Sequence, residues 1–116
     1  MLKSIDRAFA VLLLLGAAGH TLGSVRAYGS QPMVLLWSLS ATLFVVLLGA
    51  LHLLRSFRPG DRPLAWIAAA GSLAWTVMSF EFGVLIGNVL DPRPLIFAIL
   101  SLALAGLSVR SALAAK

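Results

Sequence analysis

Three ionisable side chains lie within otherwise apolar stretches of the sequence: His20, His52 and Glu81. A carboxylate inside a hydrophobic segment is costly, so it usually faces the protein interior and has a polar partner there. An imidazole can be that partner, because a nearby carboxylate favours the imidazolium whereas burial opposes it, and such a pair titrates near neutral pH. The residue types therefore predict a proton-sharing or ligand-binding pair if His20 and Glu81 lie at similar depth.

Helical rise gives the depth of each of these residues, counted from the basic end of its apolar segment. At about 1.5 Å per residue, His20 lies roughly 18 Å and Glu81 roughly 25 Å from that end, whereas His52 lies only about 3 Å from it. His20 and Glu81 therefore share the outer half of the molecule. His20 and His52 differ in depth by roughly 15 Å. This difference argues against a haem b held between them, since the two axial ligands need nearly equal depth. We expect His52 to lie at the membrane interface beside Arg55.

Four further polar residues can complete a pocket around this pair: Ser24, Ser38, Thr76 and Asn88. Together with His20 and Glu81 they form the predicted ligand-binding set, and we expect their pocket to open towards the outer face. The alternative is a structural role, in which Glu81 pairs with His20, Arg26 or Arg93 only to hold the helices in register. Both interpretations stay open at the level of sequence.

The elements that must position these residues are four apolar segments. Of the 116 residues, 60% are hydrophobic and 11% charged, with a mean hydropathy of +1.01; ordinary soluble domains are about 45–50% apolar and about 25% charged. Segments of roughly 20 residues match the bilayer core, and Asp61 and Pro63 fit the cap and first turn of the third. We predict one domain over residues 1–116, an all-α integral membrane four-transmembrane-helix bundle, with helices at about 8–27, 33–54, 64–88 and 95–113.

Small residues indicate where these helices pack. Close contact between membrane helices favours glycine and alanine, and the predicted packing residues are Gly16, Gly19, Gly23, Gly71 and Ala105. The four-residue spacing of Gly19 and Gly23 is a common helix-contact motif. A four-helix bundle leaves little room for a private cavity, so we expect a homodimer or larger oligomer, with Gly19 and Gly23 at the contact.

The basic residues predict the orientation. Seven of the nine Lys and Arg residues lie on one side of the predicted helices, namely Lys3, Arg7, Arg55, Arg58, Arg62, Arg110 and Lys116. Only Arg26 and Arg93 lie on the other side. The positive-inside rule then places both termini in the cytoplasm. Together with a composition rich in Ala, Leu, Gly and Arg, this indicates the plasma membrane of a bacterium, its inner membrane.

In size and number of helices the chain resembles the small multidrug resistance transporters, four-helix proteins that work as dimers. The resemblance covers this outline only. That family depends on a membrane-embedded glutamate in its first helix, where this chain has His20, and the glutamate of this chain, Glu81, lies in the third.

The leading functional hypothesis is binding or transport of a small molecule in the outer-half pocket. The alternative is a non-catalytic accessory or scaffold subunit of a larger membrane complex, and a less favoured third is a haem- or quinone-binding membrane protein. No phosphate-binding loop, nucleophile elbow or metal-ligand spacing occurs, so we predict no catalytic residue, metal or cofactor. The charge distribution fits a lipid bilayer as partner and gives no basic face for nucleic acid.

Overall fold

Four long helices make up the computed structural model, which describes residues 2–115. They are α1 (Leu2–Tyr28), α2 (Pro32–Phe57), α3 (Arg62–Leu85) and α4 (Pro92–Ala114). Each is long and apolar enough to cross a membrane, which confirms the prediction of an all-helical chain with four candidate transmembrane helices. The helix bounds differ from the prediction, because α1 already begins at Leu2 and α2 continues to Phe57, so that polar residues near both ends are helical.

Proline and aspartate define where the later helices begin. Pro32, Pro63 and Pro92 each occupy the first turn of a helix, where the missing N–H has no helical acceptor to lose. Asp61 caps α3 by accepting a 3.0 Å hydrogen bond from the Leu64 N–H, which is the predicted cap. Asp91 caps α4 through the N–H of Arg93 at 2.9 Å.

Helix α3 ends three residues earlier than predicted, at Leu85 rather than Asn88. Gly87 has a φ of +71°, a left-handed conformation that glycine adopts without steric cost. The N–H of Asn88 then bonds back to the carbonyl of Gly83 at 2.9 Å. Asn88 therefore lies in the α3–α4 connection and not in the third helix, whose predicted range included it.

Consecutive helices run antiparallel, and α4 returns to lie against α1. The α1–α2 and α3–α4 pairs have the most extensive contacts, whereas the α2–α3 and α1–α4 contacts are smaller. As a result, six basic residues gather at one end, called the basic end: Lys3, Arg7, Arg55, Arg58, Arg62 and Arg110. Lys116, the seventh residue of the predicted set, lies outside the described residues. The end that holds the α1–α2 and α3–α4 connections is called the opposite end.

Three of the predicted packing residues lie where helices meet. A Cβ atom on Gly16 would come within 2.8 Å of the Phe97 ring of α4, and one on Gly71 within 3.0 Å of Leu48 of α2. Ala105 of α4 is 2% exposed. The central cluster around these contacts is apolar and consists of Leu13, Ala17, Val45, Leu48, Trp75 and Leu104.

The remaining predicted packing residues, Gly19 and Gly23, lie on the outside of α1. Both are exposed, and a Cβ atom at either position would have no heavy atom within 4 Å. These two glycines therefore contribute nothing to packing within the bundle. They leave a shallow surface where another helix could approach the α1 backbone closely.

Helices α3 and α4 pack through small side chains. The buried residues of α3 include Ala65, Ala68, Ser72 and Ser79, and those of α4 include Ala98, Ser101, Ala105, Ser108 and Ala112. Small side chains let two helix backbones approach closely, which increases the van der Waals contact between them. The hydroxyls of Ser79 and Ser101 are buried within this packing without a hydrogen-bond partner among the described residues.

A buried ion pair joins α1 to α2 near the basic end. The Arg55 guanidinium donates through Nη2 to Oδ1 of Asp6, and the two side chains are 3% and 8% exposed. Next to this pair, Arg7 donates to the Ser56 hydroxyl at 3.2 Å and stacks over the Phe57 ring at 4.3 Å. The terminal turns of α1 and α2 are therefore held together by charge.

Replacing one member of this pair tests its contribution to stability. Asp6→Ala leaves the buried Arg55 cation unpaired, and we expect the free energy of unfolding to fall by about 3–5 kcal/mol. The matched control is Arg58→Ala, because the Arg58–Asp61 pair spans 3.8 Å and Arg58 is 63% exposed; a change below about 1 kcal/mol is expected. Equilibrium unfolding in detergent micelles measures both values. Equal losses in the two variants would contradict a structural role for the buried pair.

Candidate functional site

A cluster of hydroxyls and one imidazole connects α1 and α2 towards the opposite end. His20 Nδ1 lies 2.8 Å from the Thr42 hydroxyl. Ser24 donates to the carbonyl of His20 at 2.7 Å and lies 2.6 Å from the Ser38 hydroxyl. A hydroxyl has only one proton to donate, so Ser38 is the donor in its bond with Ser24. These four residues are called the hydroxyl cluster.

The hydroxyl cluster brings together three of the six predicted ligand-binding residues: His20, Ser24 and Ser38. Thr42, which the prediction did not include in this set, supplies the partner of the imidazole. Because these polar groups satisfy one another across the two helices, the geometry is that of an interhelical contact. The cluster fixes the register of α1 against α2 in an apolar environment where unsatisfied polar groups are expensive.

Glu81 lies elsewhere, on the outward surface of α3. Its side chain is exposed, and within residues 2–115 it forms no ion pair. Helix α1 makes its main contacts with α2 and α4 rather than α3, and no hydrogen bond joins His20 to Glu81. The structure therefore does not bring His20 and Glu81 into contact with each other.

The reason is the rotation of α3 about its own axis. Its buried face carries Ser72, Trp75 and Ser79, and Trp75 packs against Phe44 and Phe97 with ring centroids 5.6 and 6.0 Å away. Glu81 is two residues from Ser79, which places it about 200° around the helix. Burying a large aromatic ring on one face of α3 thus turns the carboxylate to the other.

Glu81 instead lines a groove between α3 and α4 with a volume of about 490 Å³. The other lining residues are Thr76, Val77, Phe80, Leu95, Ala98, Ile99 and Leu102. Since α3 and α4 are antiparallel, Glu81 and Leu95 lie at the mouth of the groove near the opposite end, and Thr76 and Leu102 lie deeper. Apart from Thr76, the groove is apolar along its length, and it is acidic at its mouth.

Thr76 is the only other predicted ligand-binding residue in this groove. Its hydroxyl donates a 2.8 Å hydrogen bond to the Ser72 carbonyl, so towards a ligand the hydroxyl oxygen can act only as a hydrogen-bond acceptor. Asn88, the last of the six, accepts a 3.2 Å hydrogen bond from the Leu90 N–H in the connection. The predicted set is therefore divided among the hydroxyl cluster, the groove and a turn.

Asp91, in the connection that follows α3, is a carboxylate whose charge is already balanced by Arg93. Arg93 donates to it through Nε at 3.0 Å and Nη2 at 2.7 Å. The side-chain hydrogen bonds from Arg93, aided by its backbone N–H, lower the pKa of Asp91 to about 2. Arg93 is thereby engaged, and this predicted partner of Glu81 is not bound to it. The Glu81 carboxylate is left without a cation from the described chain.

His52, which we expected at the membrane interface beside Arg55, lies on the inside of the bundle. Its side chain is fully buried, and its Nε2 lies 2.6 Å from the Ser72 hydroxyl of α3. Because α2 continues beyond the predicted end, residue 52 is more than a full turn inside the helix. The His52–Ser72 bond links α2 to α3, and Nδ1 has no partner among the described residues.

The arrangement of the two histidines does not suit a shared haem. His20 contacts Thr42 of α2, which is ten residues from His52 and therefore about 15 Å along the helix axis. Each imidazole also has a hydroxyl from a neighbouring helix as its partner. Within residues 2–115 no group of three or more His, Asp or Glu side chains is placed to hold a metal ion.

No known protein family, curated protein or solved structure matches this chain. Functional conclusions therefore depend on the geometry of the chain itself.

The structural role of the hydroxyl cluster can be tested at Thr42. Thr42→Val keeps the side-chain shape but removes the partner of His20, and we expect a loss of about 1 kcal/mol in the free energy of unfolding. Ser40→Ala is the matched control, because the Ser40 hydroxyl is exposed and bonds only to the Leu36 carbonyl of its own helix. Equilibrium unfolding of both variants in the same detergent gives the comparison. If the free energy of unfolding of Thr42→Val equals that of Ser40→Ala, the hydroxyl cluster does not stabilise the fold.

Proposed function

We propose that the chain is a multi-pass protein of a bacterial inner membrane with both termini in the cytoplasm. Four candidate membrane-spanning helices support the insertion. Six basic residues at one end of the bundle, against Arg26 and the Asp91-bound Arg93 at the other, support the orientation by the positive-inside rule. The opposite end, with the mouth of the Glu81 groove, then faces outwards.

We further propose that the groove between α3 and α4 binds an amphiphilic small molecule that carries a cationic group. The observation behind this is the Glu81 carboxylate, which has no ion-pair partner within residues 2–115 and lies at the mouth of an apolar groove of about 490 Å³. A carboxylate at the edge of hydrocarbon is stabilised by a nearby cation. An alkyl or aromatic tail would lie along the apolar residues of α3 and α4 and gain contact with them.

The dimensions of the groove fit such a ligand. From Leu95 at the mouth to Leu102 at depth, the rise along α4 is about 10 Å, and Glu81 lies about 6 Å from the end of α3. A cationic head would therefore remain near the water interface while the tail reaches the hydrocarbon region. If the chain transports its ligand, this groove is the outward-facing binding site. His20, Ser24 and Ser38 lie outside this groove, in the hydroxyl cluster that joins α1 to α2.

The groove can be tested with a simple amphiphilic cation, decyltrimethylammonium, added to the protein in lipid nanodiscs. Glu81→Gln removes the counter-charge and we expect binding to weaken about tenfold, the equivalent of one charge-assisted contact. Asp61→Asn is the matched control, because it removes one carboxylate at the basic end while asparagine still caps α3. Saturation-transfer NMR on the ligand methyl groups measures binding. The same affinity for all three proteins would contradict a role for Glu81.

A second proposal concerns assembly, either as a homodimer or as an accessory subunit of a larger membrane complex. The observation that favours it is the open surface at Gly19 and Gly23, where nothing in the bundle lies within 4 Å of an added Cβ. Two glycines four residues apart allow a second helix to approach closely. We propose that α1 of a second copy occupies this surface.

Leucine at Gly23 tests this contact. Gly23→Leu has space within the bundle, so we expect the fold to be retained while the dimer dissociates, because the large side chain separates the two α1 helices. Gly106→Leu is the control, since Gly106 is also exposed with nothing within 4 Å of an added Cβ but lies on α4. Single-molecule photobleaching of labelled protein in bilayers counts the subunits. A dimer that survives Gly23→Leu, or that Gly106→Leu disrupts equally, would place the contact elsewhere.

A further inference from the structure

The basic end contains a second cavity, of about 230 Å³, that the proposed function does not use. Its walls come from the first turns of α1 and the last turns of α2 and α4. Its polar lining consists of Lys3, Asp6, Arg55, Ser56, Arg110 and Ser111. Three cations therefore face one carboxylate across a small space, which leaves a local excess of positive charge.

Arg55 differs from the other cations of this cavity because it is buried and only partly hydrogen-bonded. Its side chain is 3% exposed, and only Nη2 is used in the bond to Asp6. The Nε atom is buried without a hydrogen-bond partner in residues 2–115. A buried guanidinium donor without an acceptor is costly. Arg55 is part of the cavity lining, so an anion bound there would lie next to a guanidinium that is only partly hydrogen-bonded.

The other polar groups show what kind of acceptor is missing. The Ser56 hydroxyl donates to the Leu53 carbonyl at 2.7 Å and accepts from Arg7 at 3.2 Å, so it is already satisfied. Lys3 and Arg110 are exposed and form no ion pair among the described residues. Their charged groups can therefore turn towards a ligand that also reaches Arg55.

We propose that this cavity binds a phosphate group. Once Asp6 offsets one of the three cations, the remaining positive charge suits a phosphate monoester dianion or a phosphodiester. Several phosphate oxygens can accept from donors that approach from three different helices, which suits arginine and lysine together. The phosphate can come from the headgroup of an anionic phospholipid or from a soluble phosphate ester, and Leu107 and Ala114 in the lining would contact the carbon skeleton of either.

This site is independent of the Glu81 groove, which lies towards the opposite end of the bundle. The experiment uses detergent-solubilised full-length protein with two probes, dioctanoyl phosphatidic acid and inorganic phosphate, added separately. Binding is measured by native mass spectrometry for the lipid and by the shift of the thermal unfolding midpoint for both. Binding of phosphate alone identifies the anion as sufficient, whereas binding of the lipid only identifies a headgroup site.

The decisive comparison uses two double variants that lose the same charge at the same end. Lys3→Gln with Arg110→Gln removes the two exposed cations of the cavity, and we expect affinity for the bound probe to fall at least about tenfold. Arg58→Gln with Arg62→Gln removes two exposed cations outside the lining, and we expect a change below about twofold. Equal losses in both double variants, or no binding of either probe to the unaltered protein, would overturn the proposal.

Discussion

A buried polar group is stabilised when it finds a partner within the protein, and pairs of this kind join the first three helices of the bundle. Asp6 with Arg55 near the basic end and the hydroxyl cluster towards the opposite end tie α1 to α2 at two levels. His52 with Ser72 ties α2 to α3. Each bond joins residues of different helices, so each also fixes the register in which the helices pack.

The α3–α4 pair is joined differently. Its contact depends on small residues, mainly alanine and serine, that let the backbones approach, and no ion pair connects the two helices among the described residues. Specific polar ties are therefore concentrated on the α1–α2 side. The surface between α3 and α4 carries the groove with Glu81, which has no ion-pair partner among the described residues. The helix pair that we propose binds a ligand is thus one without a polar bond between its helices in the described part of the chain.

The sequence alone predicts the four helices, because segment length and hydropathy have a direct physical meaning in a bilayer. It also predicts the Asp61 cap, whose signal is local. It does not predict which face of α3 is buried, since helical periodicity defines faces without ranking them; Glu81 and Trp75 each mark a face, and the larger aromatic ring is buried. The only available signal was the spacing of Ser72, Trp75 and Ser79 along one side.

The sequence alone also does not predict which distant residues pair with each other. Asp6 and Arg55 are 49 positions apart, and the sequence indicates only that each lies near the end of an apolar segment. The burial of His52 depends in the same way on a distant partner, the Ser72 hydroxyl of α3.

The outward orientation of Glu81 is the claim on which the proposed ligand site depends, and spin-label accessibility in bilayers measures it directly. The chain has no cysteine, so single variants Glu81→Cys, Val77→Cys and Ser79→Cys can each carry one nitroxide. With Val77 exposed and Ser79 buried as references, a label at position 81 should collide with dissolved oxygen nearly as often as one at 77. A label at 81 as protected as that at 79 would place Glu81 inside the bundle and contradict the groove.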